Sequence, residues 1–363
     1  MRAVSDKALI DGVLGPAVAQ QRRAIAKTIT LLESSRPDHR ARADEVLNAL
    51  LPRSGRSFRL GISGVPGVGK STFVEALGLY LIEQGHRVAV LAVDPSSSLG
   101  GGSILGDKTR MEQLSVQPQA YIRPSPSGGT LGGVAEKTRE AMRVLEAAGY
   151  DIVIVETVGV GQSEGAVAGM TDMFVLMQLP NAGDDLQAIK RGIMELADLV
   201  VINKADLDEA AATRARAQIT SALRLMGLHG NPERLPGRPK GASAPAGGSE
   251  QSERGGIILE PHHDTSVWHP LVLQLSALKA RGLAEFWKAV QQFSELQTAN
   301  GRFEARRHAQ DQAWMWERIE AGLKDRFRHH PDVQAALPQL TDDVHAGRIA
   351  ASVAARRLLD LFH

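Results

Sequence analysis

From residue 58 onward, apolar runs of strand length alternate with stretches of helical periodicity. The runs predict strands at 58–63, 87–93, 119–123, 151–156, 173–179, 198–203 and 271–275. Val88-Ala89-Val90-Leu91-Ala92-Val93 and Ile152-Val153-Ile154-Val155 are apolar at every position, as in strands whose sheet is covered by helices on both faces. Helices predicted at 70–84, 133–148, 184–196 and 208–227 supply the crossovers. That order implies an α/β fold with a mostly parallel sheet, flanked by helices, and a ligand beyond the strand C-termini.

Both ends of the chain read differently. Residues 5–51 carry helical signals: Ser5 as a cap, Pro16 in the first turn of a second helix, and Pro37 in the first turn of a third that Pro52 ends. Ala24, Ile25, Ile29 and Leu32 recur at helical spacing and predict one buried stripe, packed on the neighbouring sheet domain. After 282 the chain is helical again. Trp316, Ile319, Leu323 and Phe327 form an apolar stripe on a helix ending before Pro331. Thr341 is expected to cap a short helix ending at Gly347, with Ile349, Val353 and Leu361 on a last one. Between 230 and 256 the chain is rich in Gly, Pro and Ser and nearly devoid of apolar residues. Such a segment buries too little surface to offset chain entropy, so 230–260 is expected to be a disordered insertion.

Composition narrows the classes. A formal charge of +1 gives no basic surface for nucleic acid, and no run reaches the roughly 20 apolar residues of a membrane span. The N-terminus lacks an apolar signal core, and Asp6 and Asp11 argue against a transit peptide. Cysteine is absent, which removes disulfides and thiolate metal ligands. A cytoplasmic protein is expected.

The first chemical motif follows the first strand. Gly64-Val65-Pro66-Gly67-Val68-Gly69-Lys70-Ser71-Thr72 fits the pattern G-x-x-x-x-G-K-[ST] without a gap. Glycines at such a turn let backbone N–H groups curl around phosphate oxygens, and the helix N-terminus adds its positive dipole end. Lys70 is placed to reach the β- and γ-phosphates, and the Ser71 hydroxyl to ligate Mg²⁺. The second motif, Asn203-Lys204-Ala205-Asp206, follows the strand at 198–203 and matches N-K-x-D. A carboxylate there accepts from guanine's ring N–H and exocyclic amine, whereas adenine offers an acceptor and leaves a polar group unpaired. Ser276-Ala277-Leu278, after the last strand, sits where GTPases place the backbone that supports the base. The ligand is therefore GTP or GDP rather than ATP.

Three acids are candidates for the metal: Asp94 and Glu156 at strand ends, and Asp107 in a loop, where solvation is the alternative reading. Gly161-Gln162-Ser163-Glu164-Gly165 matches the G-x-S-x-G elbow in letters only, because four residues separate it from Glu156 at its strand's end. The pairs His262-His263 and His329-His330 lack the spacing of metal ligands.

Together these motifs resemble the MeaB/ArgK family of GTPases. The matching stretches are 64–72, Val-Asp-Pro-Ser-Ser at 93–97, Gly-Asp-Lys-Thr-Arg-Met at 106–111, Val-Glu-Thr-Val-Gly-Val-Gly-Gln-Ser-Glu at 155–164, Gly-Asp-Asp-Leu-Gln-Ala-Ile-Lys-Arg-Gly at 183–192, and 203–206. The resemblance implies a P-loop GTPase domain at 55–298 between an N-terminal helical extension, 1–54, and a C-terminal helical arm, 299–363, whose apolar faces are packed in cis or, the preferred reading, serve dimerisation. It further implies a homodimeric chaperone of an adenosylcobalamin-dependent acyl-CoA mutase, chiefly methylmalonyl-CoA mutase, that gates cofactor loading and protects or reactivates its client. By match, Asp94–Met111 is a first switch, Glu156–Glu164 a second, and Gln178–Lys190 a third that senses the partner. Lys70 and Glu156 are then catalytic, with Lys190 available to neutralise developing charge. A nickel-insertion maturation GTPase is the nearest alternative, weakened by the lack of cysteine. A small-molecule kinase would not need the guanine loop, and a binding module with structural GTP would show no partner-stimulated turnover.

Overall fold

The computed structural model describes residues 5–34, 36–93, 111–124, 131–157, 163–180, 191–225 and 267–362. The expected insertion at 230–260 lies outside them. Three helices, α1 (Asp6–Leu14), α2 (Val18–Glu33) and α3 (Pro37–Leu50), precede β1 (Phe58–Gly64). The alternating part runs α4 (Lys70–Glu83), β2 (Val88–Val93), α5 (Glu112–Ser115), β3 (Ala120–Arg123), α6 (Leu131–Ala147), β4 (Ile152–Thr157), α7 (Ser163–Ala168), β5 (Met173–Gln178), α8 (Arg191–Leu196), β6 (Leu199–Ile202), α9 (Glu209–Leu225) and β7 (Leu271–Gln274). Then come α10 (Leu283–Ala299), α11 (Arg302–His329), α12 (Pro331–His345) and α13 (Ala351–Asp360).

The seven strands form one sheet in the order β3-β2-β4-β1-β5-β6-β7, and every pairing in it is parallel. From β1 the chain crosses to β2 on one side, and from β4 it crosses back over β1 to β5. The order therefore reverses beside β1, which places the ligand crevice at the end of β1. β1, β2, β4 and β5 are buried almost throughout, as their continuous apolar runs require.

Each face of the sheet has its own core. On one, Phe73, Val74, Leu77 and Leu81 of α4 pack with Leu114 of α5 and with Phe286, Val290 and Phe293 of α10. On the other, α6, α7 and α9 pack together with Ile25, Ile29 and Leu32 of α2 and Val46 of α3. The N-terminal helices thus continue the core of the sheet. Arg22 of α2 also donates to the carbonyls of Gln117 and Ala120, at 3.1 and 2.8 Å, where the edge strand β3 begins. Capping edge carbonyls in this way blocks pairing with another strand.

The chain divides into two compact units, residues 1–307 and 308–363. In the second, α12 and α13 bury Val333, Ala354 and Leu358. Three helix boundaries differ from expectation. α2 starts at Val18 with Ala17 as its N-cap, so Pro16 lies before the helix and not in its first turn. Thr341 caps nothing: it lies inside α12 and donates its hydroxyl to the Leu337 carbonyl one turn back, at 2.7 Å. That bond is the in-helix alternative open to any threonine. Ile349 and Leu361 fall just outside α13, whose buried residues are Ala354 and Leu358.

Candidate functional site

The nucleotide loop is built by close approach. At Gly64, the end of β1, a Cβ would lie 2.5 Å from the Met177 carbonyl oxygen of β5. Gly69 has φ +93°, and a Cβ there would lie 2.7 Å from Nδ2 of Asn203. Glycine answers both demands. Val68 is fully buried between these glycines and anchors the loop in the core, while Pro66 and Gly67 stay exposed. Lys70 opens α4, is itself buried, and donates to the carbonyls of Gly64 and Val65 at 2.7 and 3.2 Å. Its ammonium is therefore held within the loop that an anionic phosphate would occupy.

The N-K-x-D residues brace this loop. Asn203 donates from Nδ2 to the Val68 carbonyl at 2.8 Å and accepts at Oδ1 from the Ala277 N–H at 3.0 Å. Lys204, with φ +59°, reaches the Gly67 carbonyl at 2.8 Å. The Ala205 N–H donates to Leu275 at 3.1 Å. One asparagine thus ties three segments far apart in sequence: the phosphate loop, the end of β6 and the end of β7. The Asp206 carboxyl is held below the usual carboxylate range by a hydrogen bond from Ser276 and by Lys279 beside it. It is poised as an anion, the form that accepts two N–H donors.

Ser71 donates to Glu156 at 3.0 Å. Glu156 is buried near the C-terminal end of β4, which pairs directly with β1. Next to it Thr157 donates to the Ser63 hydroxyl at 3.0 Å, locking the two strand ends together. A hydroxyl and a carboxylate in this position are hard oxygen donors, the set that suits Mg²⁺.

The structure thus brings together Gly64 to Thr72, Glu156, Asn203, Lys204, Asp206, Ser276 and Ala277. Leu278 is exposed and its side chain takes no part in the braced segments. Asp94, Asp107 and Lys190 lie outside the described residues, as do His262 and His263. Ser163 of the elbow-like string is buried at the start of α7, unlike an exposed nucleophile. Among the described residues no cluster of three or more His, Cys, Asp or Glu is placed to hold a metal, and no helix is long and apolar enough to cross a membrane. One residue escaped the motif reading: Lys279, one position past Leu278, pairs with Asp206 at 3.1 Å. A lysine directly following the base-supporting loop was the available signal.

The family model described as "Methylmalonyl Co-A mutase-associated GTPase MeaB" matches residues 25–332. A putative GTPase of Caulobacter vibrioides is 50% identical over 353 residues, covering 97% of this chain and 98% of that protein. The mitochondrial methylmalonic aciduria type A homolog of Mus musculus is 41% identical over 372 aligned positions, covering 99% of this chain and 81% of the other. Among solved structures, a LAO/AO transport system kinase superposes with a TM-score of 0.69 at 34% identity, covering 99% of this chain and 98% of that one.

Proposed function

The chain belongs to the MeaB family of GTPases, and from that premise we propose that it acts as a GTP-dependent chaperone of an adenosylcobalamin-dependent acyl-CoA mutase. It is a P-loop GTP hydrolase that binds guanine nucleotides. Methylmalonyl-CoA mutase is the client of choice, because both the family description and the mouse relative's name carry methylmalonyl chemistry. The chaperone gates cobalamin loading and protects or reactivates the mutase in the cytoplasm. The observation that carries the nucleotide half is the Asn203 brace, which fixes the base reader against the phosphate loop. A titration of the mutase against this protein, followed by calorimetry with GDP and with a non-hydrolysable GTP analogue, tests the partner half. Nucleotide-dependent affinity is the expected result; no binding in either state overturns the reading.

Within the site, Lys70 contacts the β- and γ-phosphates, Asp206 reads the base, and Asn203 and Lys204 complete the base site by bracing it on the phosphate loop. Ser71 and Glu156 would hold Mg²⁺, assisted by Asp94 and Asp107. The ion would supply positive charge to offset that of the phosphates. Lys70→Ala removes a charge-assisted phosphate contact of about 1.5–3 kcal/mol and lowers GTP affinity roughly tenfold or more. Calorimetry checks this, and unchanged affinity excludes the loop as the phosphate site.

The homodimer rests on α11, where Met315, Trp316, Ile319 and Leu323 are exposed at helical spacing. Truncation after Arg307 is expected to leave a protein with the mass of one shortened chain by light scattering. The cut falls there because Arg306 and Arg307 pair with Asp198 and Asp172 within the first unit. A truncated chain that still has the mass of a dimer removes the second unit from the dimer contact.

A further inference from the structure

Lys279 has no part in the reading above, yet its position is built with care. The backbones of Ser276 and Arg281 bond to each other in both directions, at 3.1 and 3.0 Å, and close a tight turn between them. Ala280 completes the turn in the left-handed region, at φ +50°. The Lys279 N–H donates to the Ser276 hydroxyl at 3.3 Å, and that hydroxyl donates in turn to Asp206. The turn therefore delivers the Lys279 ammonium to Oδ2 of Asp206 at 3.1 Å. The two partners differ in exposure: 51% for the Lys279 side chain and 8% for that of Asp206.

We infer that Lys279 determines how strictly Asp206 selects among purines, by keeping the carboxylate partnered when a base brings fewer donors. The inference rests on the proposed reading of guanine by Asp206. Guanine offers two donors to a carboxylate, its ring N–H and its exocyclic amine. Hypoxanthine keeps the ring N–H and lacks the amine. In a site without a cation, the carboxylate oxygen abandoned by the missing amine is shielded from water and unpaired, and such groups carry the full desolvation penalty. A carboxylate has about four lone-pair sites, so one oxygen can serve a lysine and a base together. Lys279, free to follow the carboxylate from its exposed side, satisfies that oxygen whichever purine is present. Inosine triphosphate then loses only the hydrogen bond of the missing amine. Without Lys279 it loses that bond and leaves the carboxylate with the Ser276 hydroxyl but no cation to take up the abandoned oxygen.

The test uses the full chain and measures the competition of GTP, inosine triphosphate and xanthosine triphosphate. Four proteins are compared: wild type, Lys279→Met, which keeps the stem and removes the charge, Lys279→Arg, which restores it, and Asp206→Asn. The ratio of GTP to inosine triphosphate affinity is expected to rise about tenfold in Lys279→Met and to return toward wild type in Lys279→Arg. Asp206→Asn is expected to turn preference toward xanthosine triphosphate, since an amide donates to the carbonyl that xanthine carries in place of the amine. An unchanged ratio in Lys279→Met, with Asp206→Asn behaving as expected, overturns the role of Lys279 alone. Full GTP preference in Asp206→Asn overturns base reading by Asp206 and the inference with it. A Lys279→Met protein that binds no nucleotide also overturns it, because the lysine is then needed for the site to form.

Discussion

Replacing Glu146 with alanine is expected to lower the folding stability of the first unit by about 3–5 kcal/mol, the range for removing one member of a buried ion pair. The Glu146 side chain is 0% exposed and that of Arg59 5%. Arg59 in β1 donates twice to the carboxylate of Glu146 in α6, at 2.7 and 3.1 Å. Ser57 donates its hydroxyl at 2.6 Å and Gly55 its N–H at 2.7 Å. Alanine removes the shared acceptor of all these bonds at once and takes the carboxylate charge from beside the buried guanidinium. Thermal unfolding reads the loss as a fall in Tm of about 2–4 °C per kcal/mol. The double replacement Arg59→Met with Glu146→Leu is expected to recover the share due to the ion pair, since an apolar pair of similar volume often matches a buried one, while the donors of Ser57 and Gly55 still lack their acceptor. Acid sharpens the test. Burial pushes the Glu146 carboxyl up, but Arg59, Ser57 and Arg143 outweigh it and hold the group below its ordinary value. A carboxyl depressed in the folded state stabilises above its unfolded pKa, and that share is lost as pH falls through the folded one. The gap between wild type and Glu146→Ala should therefore be widest near neutral pH and narrow in acid. An equal gap at all pH values would mean the loss is one of packing alone.

That cluster marks the boundary of what sequence could reveal. The phosphate loop and the guanine loop are short contiguous strings, so their letters identify them even though distant residues hold their geometry. The strands were visible because β2 and β4 are apolar on both faces. Glu146, by contrast, sits in α6 among Arg139, Glu140 and Arg143, and reads as one more charged helical position. Its partner Arg59 is 87 residues away. Arg306 and Arg307 read as a solvated basic pair at the start of a polar helix. Arg307 nevertheless donates to both carboxylate oxygens of Asp172, at 2.7 and 2.6 Å, while Asp172 also accepts from the Arg59 N–H at 2.7 Å. Pairing across such distances is a property of topology, and no local pattern encodes it. The tie between Lys279 and Asp206 was half legible: the lysine's place after the base-supporting loop pointed to it, but the strand order sets the two loops side by side. Thr341 failed in the opposite way. A threonine's local preference for capping was outweighed by the continuous helix around it.

The largest kinetic effect is expected from the partner. The isolated protein should hydrolyse GTP slowly, and its cognate mutase should accelerate turnover by about 10³-fold or more, the scale of cationic assistance in phosphoryl transfer. The segment Gly183-Asp184-Asp185-Leu186-Gln187-Ala188-Ile189-Lys190 lies outside the described residues, but its flanks are informative. It departs after β5, which pairs with the phosphate-loop strand at Gly64 and Met177, and α8 resumes at Arg191. A chain leaving the sheet beside the phosphate loop is suited to couple a bound partner to the γ-phosphate. Asp184 and Asp185 are explained equally well as acids at the positive end of a helix. Lys190 lies more than a turn later in sequence, where that end has little influence. Its proposed role is to neutralise charge developing on the transferred phosphoryl group once the mutase is bound. Lys190→Ala should therefore collapse the ratio of mutase-stimulated to unstimulated turnover from about 10³ toward one. Steady-state phosphate release with and without mutase, at GTP concentrations saturating for each protein, measures that ratio independently of nucleotide affinity. A Lys190→Ala protein stimulated as strongly as wild type would reduce the segment to a helix start and locate the catalytic cation elsewhere.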